Sequence, residues 1–132
     1  MFAPAFTRKL TGALAFAATA GLLSASALAD GPQAIGIAAN HAGLAAAAND
    51  INTVHTHLHH VLNCLVGPGG EGFDAAPGNP CANAGGGAIP QTSDAATKAK
   101  LTMVATEVRT GIADTDMTAA KKVATDAQTM LK

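Results

Sequence analysis

Two stretches without an internal proline, about 33–65 and 94–131, flank a connection that holds eight glycines and four prolines. Proline breaks a helix interior and glycine weakens it, whereas alanine, abundant in both stretches, is the strongest helix former. The chain is therefore restricted to helical segments joined by one long loop, residues 66–92, in which no period runs. Strand alternation and solenoid repeats are both missing from the sequence. The expected class is all-α.

The first stretch begins after Pro32, with Asp30 placed to cap it, and stops at Gly67-Pro68. Ile37, Leu44, Ile51, Leu58 and Leu65 recur every seven residues, with Ala47, Val54 and Val61 three positions later and Ala48 and Leu62 four. That narrow seam predicts a single amphipathic helix of roughly 33 residues, about 50 Å long. In the second stretch Ser93 or Asp94 can cap the free amides, and Leu101, Val104, Ala105, Val108, Ile112, Ala119, Val123, Ala127 and Met130 keep a three-four spacing. Thr115 or Asp116 can cap a third helix, so this stretch is one helix or two. The seams face each other in an antiparallel helical hairpin, with Leu65 paired to Asp94. Alanine-rich seams bury little, so a partner is expected, two hairpins pairing into a four-helix bundle as a homodimer. The stripe Ala99, Met103, Ala113, Met117, Ala120 and Ala124 can serve that contact or be a plain solvent face.

Residues 1–29 read as a signal peptide rather than as part of the fold. Arg8 and Lys9 precede an apolar run, "LTGALAFAATAGLL", and Ala27 and Ala29 form the small pair of a cleavage site. The run is short for a membrane span of roughly 20 residues, so no stable span is expected after cleavage. Residues 30–132 then form a single helical domain, exported to a periplasm or secreted. They carry six basic against nine acidic side chains, a net charge of −3, and Phe73 is their one phenylalanine, with no Tyr or Trp. An acidic chain without a basic patch or stacking platform is no nucleic-acid binder. In an oxidising compartment the two cysteines, Cys64 and Cys81, are expected as a disulfide, worth about 3 kcal/mol by loop closure.

The densest chemistry is "VHTHLHHVLNC", residues 54–64, with four of the chain's five histidines. On one continuous helix His55 and His59 form an i, i+4 pair beside the seam. His57 and His60 form an i, i+3 pair on the other flank, turned to water, and His41 shares the flank of His55. Such pairs direct imidazole nitrogens at a divalent ion, and imidazole suits copper, nickel and zinc. His55 and His59 are the expected principal ligands, with His57, His60 and His41 as accessories. The disulfide would return Glu71 and Asp74 towards His59 and His60. The hairpin register also sets His55 level with Met103 and His41 level with Met117, a set suited to copper(I) across a second interface.

CxxCH, HExxH, ExxH and P-loop signatures are all missing, and Ser93 is the one serine after residue 29. No enzyme mechanism is expected. The sequence points to a small exported helical protein that binds a transition metal for buffering, delivery or sensing. The alternative is a structural or adaptor hairpin acting through protein contacts, its histidines incidental or pH-responsive.

Overall fold

A computed structural model describes residues 30–132; residues 1–29, read above as a signal peptide, lie outside the described part. Among the described residues every element is a helix: α1 (Asp30–Ala47), α2 (Ile51–Val66), α3 (Ala88–Gln91), α4 (Ala95–Ala113) and α5 (Met117–Leu131). None is long and apolar enough to cross a membrane.

The long first helix expected over 33–65 is instead two. The alanines of 45–48 favour continuation, but Asp50 takes an extended backbone and caps a new helix. Its carboxylate accepts from the Thr53 amide at 2.9 Å and from the Thr53 hydroxyl at 2.6 Å. These local bonds satisfy amides that would otherwise be orphaned at the start of α2. Folding back there lets α1 lay Ala34, Ala38, Ala42 and Ala45 on the core beside α2, all fully buried. The heptad line does not survive the break, and Leu44 is left 44% exposed. Asp50→Ala is expected to cost about 1 kcal/mol of stability, seen as a lower midpoint in urea unfolding.

The second stretch also divides, at one of the two caps the sequence offered. Asp116 accepts from the Ala119 amide at 2.8 Å, and Asp94 caps α4 in the same way through Thr97, at 2.7 Å. In both Asp50 and Asp94 these bonds hold the carboxyl below its usual titration range.

The four long helices pack in a ring: α1 on α2 and α5, and α4 on α2 and α5. Neighbours run in opposite directions. His55 of α2 lies level with Asp114, Gly111 of α4 sits against Leu58 and Val123, and Lys121 of α5 reaches the Ala48 carbonyl. The α2–α4 register therefore differs from the expected one, which set His55 beside Met103. Met103 is 57% exposed, and the His–Met pairings are not formed within the chain. The chain thus packs four long helices against one another, where the hairpin expectation had two, or three with a break near Thr115. The stripe proposed for a dimer contact splits accordingly: Ala120 and Ala124 are fully buried in the chain's own core, while Met103 and Met117 face outwards.

The connection expected over 66–92 holds the short helix α3 near its end, and residues 67–87 are a sequence of turns laid against α2. Cys64 and Cys81 form the expected disulfide, buried, with their Cα atoms 5.2 Å apart. One residue earlier, the fully buried Asn63 donates to the carbonyls of Asp74 (2.6 Å) and Gly78 (2.8 Å) and accepts from the Asp74 amide (3.0 Å). Side chain and backbone are matched donor for acceptor, so the polar group is buried at little cost. Asn63→Leu strands two carbonyls and an amide, and is expected to destabilise the fold by roughly 3 kcal/mol, measured by urea unfolding.

Candidate metal centre

The break at Asn49-Asp50 decides which histidines meet. His41 lies eight residues before Asn49 and His57 eight after it, so the antiparallel return of α2 along α1 sets them level. His60 is one turn further along α2 on the same face. The three rings pack together, with centroids 4.7–5.6 Å apart. His41 Nδ1 lies 3.1 Å from His57 Nδ1 and 3.2 Å from His60 Nδ1. One nitrogen from each ring falls within 4.8 Å of the others, the spacing of a metal-ligand set. Nitrogens bound tetrahedrally to zinc at 2.0–2.1 Å stand about 3.3–3.4 Å apart.

The loop orients one of these rings. His60 Nε2 is 2.7 Å from the Pro77 carbonyl, which can only accept, so Nε2 carries the hydrogen. In the neutral ring Nδ1 is then a bare lone pair facing His41. This is the outer-shell arrangement by which a carbonyl sets the tautomer of a ligating histidine. A hydrogen bond between His60 and His41 then takes its hydrogen from His41 Nδ1, the same atom that His57 Nδ1 approaches to 3.1 Å.

The surroundings favour the uncharged forms of His41 and His57. Burial, then the proximity of His60 and His57, lowers His41 from 6.5 to about 4. Burial and His60 lower His57 also. The unfolded chain takes up a proton on His41 near 6.5 and the fold only near 4. Between these values the unfolded chain binds more protons, so this contribution is complete above pH 6.5 and declines as pH falls towards 4. A shift of that size is about 3 kcal/mol for a fully buried ring, reduced to on the order of 1–2 kcal/mol by the solvent that still reaches it. The metal-free protein is expected to lose several degrees of Tm between pH 7 and pH 4, and His41→Ala to flatten that decline. A Tm that holds on acidification contradicts the arrangement.

His55 and His59, expected as the principal pair, are not in this triad. His55 Nε2–H donates to the Asp114 carbonyl at 2.8 Å, tying α2 to the corner between α4 and α5. His59 Nδ1 is buried without a hydrogen-bond partner among the described residues. Burial lowers its pKa, Asp74 opposes the shift, and His55 and His60 add to it. The loop thus brings Asp74 to bear on His59, as the disulfide suggested, while the Glu71 side chain stays exposed and its carbonyl accepts from Arg109. His57, expected to face water, turns towards α1. The signal for this was the Asp50 cap, which on its own would have folded His41 onto His57 and His60.

No protein-family model, curated protein or solved structure matches this chain.

Proposed function

We propose that this protein holds a single transition-metal ion, copper, nickel or zinc, between α1 and α2, with His41, His57 and His60 as the ligands. The observation that carries the reading is the approach of the His57 and His60 Nδ1 atoms to 3.1 and 3.2 Å from His41 Nδ1, within a three-histidine group at ligand spacing. An ion satisfies three lone pairs together, and three neutral imidazoles suit each of these metals. His55 and His59 stand as outer members that can supply a donor when the ion is loaded or handed on. The role is non-catalytic: buffering, delivery or sensing in an exported setting, to which the buried disulfide is suited.

Titration of the full chain with zinc, nickel and copper tests this. Saturable binding of one ion per chain is expected, retained when His55 and His59 are both alanine. Affinity no tighter than that of free imidazole, for all three metals, contradicts it.

A further inference from the structure

The triad offers three donors and no fourth. Among the described residues no other histidine, cysteine or carboxylate joins His41, His57 and His60 at ligand spacing. All three donors are neutral imidazoles, and the outer contact of His60 is a neutral carbonyl rather than a carboxylate. The Asp74 carboxylate acts on His59 instead. A divalent ion placed here keeps its full charge and an unfilled coordination position. The three residues are only half-buried, so a small solute has access to it.

We infer that the loaded centre takes a small monodentate anion from solution as its fourth ligand, an inference that rests on the metal-holding reading above. Three protein ligands with an exchangeable fourth is the arrangement of open zinc sites, whereas structural sites close with four. The missing negative charge makes an anion the favoured occupant over a neutral donor, because a dication in partly desolvated surroundings is stabilised by an opposite charge. The ion is thereby held from one side and reachable from the other, which suits transfer better than permanent storage.

Cobalt(II) substitution with azide as the probe tests this on the full chain. Cobalt is first titrated alone, then azide is added to the saturated protein and the visible absorption followed. The expected result is a shift in the cobalt bands that saturates at one azide per cobalt and is lost in His41→Ala. Cobalt that binds but whose bands ignore azide overturns the open position and leaves the metal site standing. Cobalt and azide binding that persist unchanged in His41→Ala overturn the location. Failure of cobalt, zinc, nickel and copper all to bind overturns the site and the anion together.

Discussion

His41→Ala is expected to weaken metal binding by more than about 100-fold, beyond the 10–100-fold that follows loss of an outer-shell partner. His41 is the one ligand that comes from α1, and its Nδ1 is the atom to which both other Nδ1 atoms are close. Without it His57 and His60 remain as an i, i+3 pair on one helix, two donors where a firm site needs at least three. The loss shows in stability as well. An ion at a hundred times its Kd raises the stability of a protein that binds it only when folded by about 2.7 kcal/mol. Zinc should therefore raise the Tm of the wild type by on the order of 10 °C for a domain of this size. In His41→Ala it should leave the Tm unchanged. The metal-free variant should fold at least as well as the wild type at pH 5, because a half-buried ring that resists protonation has been removed. A variant that fails to bind zinc is thereby distinguished from one that fails to fold.

The second large effect is expected where the loop leaves and rejoins the helices. Gly67 ends α2 with φ +71° and Gly87 precedes α3 with φ +104°. A Cβ on Gly67 would stand 1.8 Å from the Gly86 carbonyl oxygen, and one on Gly87 2.6 Å from the Gly67 nitrogen. Both clashes are with backbone, which cannot turn aside as a side chain can. The Gly67 amide is held by the Asn63 carbonyl, and the disulfide at Cys64 anchors the same turn. Strain at positive φ and overpacking each cost about 1–3 kcal/mol, so Gly87→Ala should destabilise by roughly 3–5 kcal/mol. That is a large share of the 5–15 kcal/mol typical of a whole domain. Gly86→Ala, whose Cβ meets nothing within 4 Å, should be nearly neutral. Urea midpoints for the pair decide it: equal midpoints contradict the crossing.

The sequence carried more of the scaffold than of the site, for a physical reason. Helical class and the cap choices at Asp94 and Asp116 depend on residues within a few positions of one another, and the Cys64–Cys81 bridge on there being two cysteines to pair. The histidine grouping depends on one turn. Read as a continuous helix, 54–64 sends His57 and His60 to water and aligns His41 with His55. With three residues between α1 and α2, the same angles bring His57 and His60 onto His41. The turn was legible in "NDINT", whose Asp50 and Thr53 repeat the pattern of Asp94 and Thr97. The alanine run before it and the unbroken heptad spacing through Ile51 outweighed that signal. Propensity and periodicity lost here to a cap that makes two short hydrogen bonds. The order of the loop was less accessible, because it rests on Asn63, whose partners are backbone groups 11 to 15 residues away.

His41, His57 and His60 are expected to share one ion through Nδ1. Long-range proton–nitrogen correlation NMR of the full chain, histidine-labelled and titrated with zinc, reads each ring nitrogen separately. The expected result is that the Nδ1 resonances of His41, His57 and His60 move together to the metal-bound range at one equivalent, with His60 Nε2 protonated before and after. Movement confined to His55 and His59, or Nε2 rather than Nδ1 shifting in the triad, would contradict it.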